Sequence, residues 1–181
     1  MSAKRIAFIG LYVALLTVSA KISIPFVPVP MTMQSAVVLF FACYLGMTDA
    51  AVGVSLYIVL GLIGVPVFAS GGGFSYVTVP SFGFTLGFVV STVLCGLIFK
   101  RGGGIRNIVL TLSVGTVALY VVGITYFLLL KTFYLGGTID IWNTLLKFWI
   151  VFIPSDILKA VICAVLLKRV PLVGGNVENH E

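Results

Sequence analysis

Pro154-Ser155-Asp156-Ile157-Leu158-Lys159 sits inside a long, largely apolar run from Ile141 to Leu167. A run of that length and polarity predicts a membrane-spanning helix. Asp156 and Lys159 lie three residues apart, which puts opposite charges on one helix face within reach of each other. An ionisable group at the centre of a membrane helix costs about 2.5–3.5 kcal/mol, so such groups face a cavity or a partner. The pair therefore marks either a ligand site or an ion pair that neutralises itself between packed helices.

The rest of the chain agrees with a membrane setting. Its 181 residues are 60% hydrophobic and 9% charged, the composition of an integral membrane protein. The length suits one compact domain over 1–181, without room for a separate soluble catalytic domain. The formal net charge of +6 does not signal nucleic acid, because the basic residues gather at the ends of apolar runs, where they report topology. Cys43, Cys95 and Cys163 fall within apolar runs without metal-ligand spacing and read as small packing residues. His180 is in a polar tail, so no His/Cys/Asp cluster suggests a metal centre or a nucleophilic triad. An intramembrane enzyme using Asp156 as acid or base would need a second carboxylate, a histidine or a metal in the spans, and the sequence offers none. No Gly-x-x-x-x-Gly-Lys-Ser/Thr motif occurs, so any ATP energy comes from a partner.

The predicted fold is all-α: an integral membrane bundle of six transmembrane helices near 6–22, 31–46, 50–66, 82–99, 107–131 and 141–168. The first follows Lys4 and Arg5 and has a signal peptide as its alternative. Ala3, Ala7, Gly10 and Ala14 fall on one face of it and favour a retained helix that another helix approaches closely. That second helix belongs either to the same bundle or to a partner subunit. Gly83, Gly87, Ser91 and Cys95 form a similar seam on the fourth span. Lys4, Arg5, Lys100, Arg101, Arg106, Lys168 and Arg169 collect at one set of helix ends, against Lys21, Lys131 and Lys147 at the other. The positive-inside rule then predicts cytoplasmic N- and C-termini, with Trp142 and Trp149 suited to a membrane interface.

This orientation places two unusual loops on the outer side. The first, 24–30, is rich in proline and predicted to be extended. The second holds Ser70-Gly71-Gly72-Gly73 and then Phe74 and Tyr76. Its glycines permit positive φ and close backbone approach to a ligand. A solvent-exposed loop is the alternative; Phe68, Phe74, Val77 and Val79 favour one folded onto the protein. Gln34, one turn into the second helix, offers both a donor and an acceptor. Gln34, the Gly-rich loop and the Asp156/Lys159 face are expected to line one outward pocket, mostly apolar with few polar groups. The residues themselves specify a small amphipathic ligand and go no further.

Four segments in order and spacing resemble the BioY family: Val27-Pro28-Val29-Pro30-Met31-Thr32-Met33-Gln34, Gly61-Leu62-Ile63-Gly64-Val65-Pro66-Val67-Phe68, Gly71-Gly72-Gly73, and Pro154-Ser155-Asp156-x-x-Lys159. The resemblance covers about Lys4 to Lys168. It departs from the family pattern at Phe82-Gly83-Phe84, where Gly-Gly-Tyr is common, and in having glycine where the Gly-rich loop often carries Asn or Ser. It implies a multi-pass S component in a prokaryotic cell membrane, not an enzyme, that captures biotin from outside. It also implies a transmembrane T component and two cytoplasmic ATPase subunits as partners, with ATP used by those subunits and no cofactor on this chain. A different vitamin, or a stand-alone facilitator, is the alternative. The ligand-binding residues expected on this basis are Gln34, Gly72, Gly73, Phe74, Tyr76, Phe84, Asp156 and Lys159. Asp156 would accept from a ureido N–H, Gln34 would serve the ureido carbonyl or an N–H, and Lys159 would pair with the tail carboxylate, unless the charged pair shares one end of the ligand. The Ala3, Ala7, Gly10 and Ala14 face would dock the T component.

Overall fold

The computed structural model describes residues 2–26, 29–135 and 141–170, the side chains of 135 and 141–151 excepted. Val27, Pro28, Gly136, Gly137, Asp140, His180 and the side chains of Trp142, Lys147 and Trp149 lie outside that set. Within it the chain forms α1 (Ala3–Lys21), β1 (Ser23–Ile24), β2 (Met31–Thr32), α2 (Gln34–Leu45), α3 (Met47–Leu62), α4 (Phe82–Ile98), α5 (Gly104–Leu130) and α6 (Ile141–Arg169).

Local chemistry sets the boundaries. Ser2 caps α1, its hydroxyl accepting from the Arg5 N–H at 3.4 Å. The break expected between the second and third spans is compressed into a single residue, Gly46 at φ 84°, so α3 begins at Met47 rather than Ala50. Asp49 thereby enters the first turn of α3, where a negative charge is favoured. It receives both arms of the Arg5 guanidinium at 2.9 and 2.5 Å, which ties the start of α1 to the start of α3. Met31 and Thr32 were expected to open the second span, but they pair antiparallel with Ile24 and Ser23. The residues flanking the proline-rich connection are thus joined as a short hairpin, and α2 is left with 12 residues.

At 1.5 Å per residue α2 reaches only about 18 Å, against about 30 Å of hydrocarbon. Non-helical backbone can lie at membrane depth when it is buried in protein, which would let the hairpin and the 63–81 segment add to so short a helix. α1 and the segment Gly104–Tyr134 are each long and apolar enough to cross alone. Leu11, Leu15, Val52, Val59, Val117 and Val121 are exposed on the outside of the bundle, as lipid-facing side chains are.

Two apolar clusters fill the interior. The larger is aromatic and joins Tyr12, Phe41, Tyr57, Phe68, Phe82, Phe84 and Phe88. The smaller contains Leu39, Leu112 and all three cysteines, which are free and buried. The Gly83/Gly87/Ser91/Cys95 seam faces α5. A Cβ added at Gly87 would stand 2.9 Å from the Leu119 carbonyl oxygen, and one at Gly83 would strike Tyr126. Pro154 removes a backbone donor inside α6 without ending the helix.

Candidate functional site

Asp156 and Lys159 project from one face of α6, with Lys159 buried and Asp156 largely so. Their carboxylate and ammonium are 3.2 Å apart. Lys159 also donates to the Ser35 hydroxyl of α2 at 3.2 Å. The Tyr120 hydroxyl of α5 donates to the other carboxylate oxygen of Asp156. Three helices therefore converge on one charge pair, and every buried polar atom of the pair has a partner. That is the condition under which a low-dielectric site tolerates charge.

Around this pair lies a cavity of about 50 Å³. Gln34, Ser35 and Leu39 of α2 form one wall, with Thr116 and Tyr120 of α5 opposite. Phe84 and Phe88 of α4 and Phe152 of α6 add apolar surface. Tyr120 stands edge-on to both Phe84 and Phe152, at centroid separations of 6.1 and 6.3 Å. Val29 and Pro30 of the hairpin and Ala69, Tyr76 and Ser81 of the Gly-rich connection complete the lining.

Gln34 is oriented from behind. Its amide N–H donates to the Tyr57 hydroxyl at 2.7 Å, which in turn donates to the Val67 carbonyl at 3.1 Å. The Thr32 hydroxyl donates to its carbonyl oxygen at 3.3 Å. Tyr76 stacks on Phe68 at 4.3 Å, and its hydroxyl shares a hydrogen bond with Ser81 at 2.9 Å.

The cavity thus brings together Gln34, Tyr76, Phe84, Asp156 and Lys159. Gly72, Gly73 and Phe74 are placed elsewhere. A Cβ at Gly72 would be 2.2 Å from the Val65 carbonyl oxygen, so this glycine permits close approach to the chain after α3. Gly73, at φ 108°, donates its N–H to the Gly61 carbonyl at 2.7 Å. Phe74 is 77% exposed. The loop is indeed folded onto the protein. Phe68 and Gly71 exchange backbone hydrogen bonds, Lys21 donates to the Phe68 carbonyl at 2.7 Å, and Tyr126 donates to the Val77 carbonyl at 2.5 Å. Phe68 itself packs over Gly61, where a Cβ would lie 2.0 Å from its ring.

Sequence reasoning missed Ser35, Thr116 and Tyr120. A signal was present: Thr116 and Tyr120 are four residues apart in an apolar span, and polar groups there tend to face inward. On α1, Ala3, Ala7, Gly10 and Ala14 are all exposed, and nothing lies within 4 Å of a Cβ built at Gly10. Among the described residues no helix covers that face.

A helical membrane bundle whose buried Asp–Lys pair lines a mostly apolar cavity has the form of a protein that holds a small solute. The BioY family model matches residues 1–174, and the chain belongs to that family. It is 33% identical over 187 residues to the biotin transporter BioY of Rhizobium etli, covering 96% of each chain. It is 32% identical over 161 residues to the biotin transporter BioY of Thermotoga maritima, covering 88% of this chain and 91% of that one. The fold is similar to the crystal structure of the S-component for biotin from an ECF-type ABC transporter. The TM-score is 0.77 at 23% identity, over 93% of both chains.

Proposed function

We propose that this chain is the biotin-capturing S component of an energy-coupling factor transporter. In this reading it takes biotin from the outer face of a prokaryotic cell membrane for uptake driven by a T component and two cytoplasmic ATPases. The observation that carries the reading is the Asp156–Lys159 pair, held by Tyr120 and Ser35 in the wall of an otherwise apolar cavity. Biotin supplies the complementary chemistry: ureido N–H donors beside a carbonyl, an apolar thiophane ring and a terminal carboxylate. The names of the Rhizobium and Thermotoga relatives point the same way.

Two placements fit the pair. In one, Asp156 accepts a ureido N–H while Lys159 reaches the tail carboxylate. In the other, both meet the ureido edge, where a donor and an acceptor stand side by side; the direct contact between the two side chains supports this one. Biotin methyl ester separates them, since losing the ligand's charge weakens binding only where Lys159 holds the tail. In either placement the walls must move apart, because about 50 Å³ holds a few water molecules rather than a bicyclic ligand.

The test is calorimetry on the purified chain. Biotin is expected to bind at one site, with thiamine and riboflavin failing to compete. Clear binding of another vitamin without binding of biotin would overturn the reading. Uptake into vesicles with and without the partner subunits and ATP then distinguishes a driven S component from a stand-alone facilitator.

A further inference from the structure

A second cleft, of about 400 Å³, opens on the outside of the bundle between α5 and α6 and shares no lining residue with the Asp156–Lys159 cavity. Its base is the buried Leu112, and short side chains, the exposed Ser113 of α5 and the half-buried Ala160 and Ala164 of α6, leave it open above. Its flanks are longer apolar ones such as Val109 and Val161, which are 52% and 55% exposed. Lys168 is its one charged lining residue.

Dimensions and charge together specify an occupant. From Ile157 to Lys168 the α6 wall runs about 16 Å at 1.5 Å per residue. That is about half of a 30 Å hydrocarbon core, the depth of one leaflet. α5 begins where α6 ends, so Lys168 and Arg169 at the end of α6 share that end of the bundle with Arg106 at the start of α5. All three are exposed. The acidic residue described at this end of the bundle, Asp49, is already paired with Arg5. A groove one leaflet deep, apolar along its length and cationic at its mouth, matches an acyl chain carrying a negative headgroup.

We propose that the α5–α6 cleft is a binding site for one anionic phospholipid, its acyl chain lying along Ser113, Ala160 and Ala164 and its phosphate on Lys168. Short side chains leave the depth that an acyl chain fills, and the ammonium sits at headgroup level. A helix of a partner subunit or of a second copy is the competing occupant, and titration with lipid separates it from a phospholipid.

The full-length protein in detergent is titrated with dioleoylphosphatidylglycerol or dioleoylphosphatidylcholine, and bound lipid is counted by native mass spectrometry. The anionic lipid is expected to bind one per chain and about fivefold tighter than the zwitterionic one, as a single basic residue at headgroup level provides. Lys168→Gln should bring the two lipids to near parity, while Lys131→Gln, at the far end of α5, should leave the preference intact. Ser113→Phe fills the groove and should weaken both lipids, with the thermal midpoint and biotin binding reporting that the fold persists. Equal affinity of the native chain for the two lipids, or a preference that survives Lys168→Gln, overturns the proposal. So does Ser113→Phe that breaks a protein complex while leaving lipid binding unchanged.

Discussion

Tyr120 and Ser35 do for the charged pair what water does elsewhere, and the cost of losing them differs from the cost of losing a charge. Tyr120→Phe removes a donor to Asp156 but leaves the ion pair. A hydrogen bond to a charged group contributes about 1.5–3 kcal/mol, so biotin affinity should fall by about tenfold to a hundredfold. Asp156→Asn or Lys159→Ala strands the opposite partner, a change that costs about 3–5 kcal/mol when the pair is buried. Each should lower the thermal midpoint and weaken biotin by about two orders of magnitude or more. Replacing both with Leu and Met removes the stranded charge, so the midpoint should recover while calorimetry shows no binding. A double variant that still binds biotin would reduce the pair to a structural role. The pair was legible in the sequence because opposite charges in an apolar run are conspicuous. Tyr120 was not, since a tyrosine among leucines and valines reads as packing until its partner 36 residues away is known.

At the level of elements, the Gly-rich loop separates two meanings of glycine. Three consecutive glycines do announce close backbone approach, but at Gly72 and Gly73 the approach is to the carbonyls of Val65 and Gly61. The companion signal lay in Gly61 itself, whose bare face admits the Phe68 ring. Gly72→Ala sets a methyl group against backbone that cannot rotate away, an overpacking that costs about 1–3 kcal/mol. The loop should loosen, cleave faster in limited proteolysis and hold biotin less tightly, although Gly72 lines no part of the cavity. Phe74→Ala, at an exposed side chain, should leave affinity unchanged; a loss equal to that of Gly72→Ala would return the loop to direct ligand contact. Helix existence was readable from apolar run length throughout. The boundaries near Met31 and Met47 were not, because strand pairing with Ser23–Ile24 and the single-residue turn at Gly46 depend on contacts outside each run.

For the whole molecule, the cavity and the proposed docking face of α1 lie on different surfaces. The cavity is walled by α2, α4, α5 and α6, while the small residues of α1 look outward from the bundle. Space at Gly10 is open, so a large side chain there obstructs only an external partner. Gly10→Trp and Ala14→Trp should leave biotin binding by the isolated chain as it is and abolish both co-purification with the T component and uptake. Loss of binding in the isolated chain would show that this face serves the bundle instead. α1 is also fastened at both ends, by Arg5 to Asp49 and by Lys21 to the Phe68 carbonyl, one residue from Ala69 in the lining of the cavity. A straight helix of 19 residues is a rod of about 28 Å, stiff along its axis. A displacement of the flank of that rod would be carried along its axis to the Phe68 carbonyl, so the exposed face of α1 and the wall of the cavity are two ends of one stiff lever.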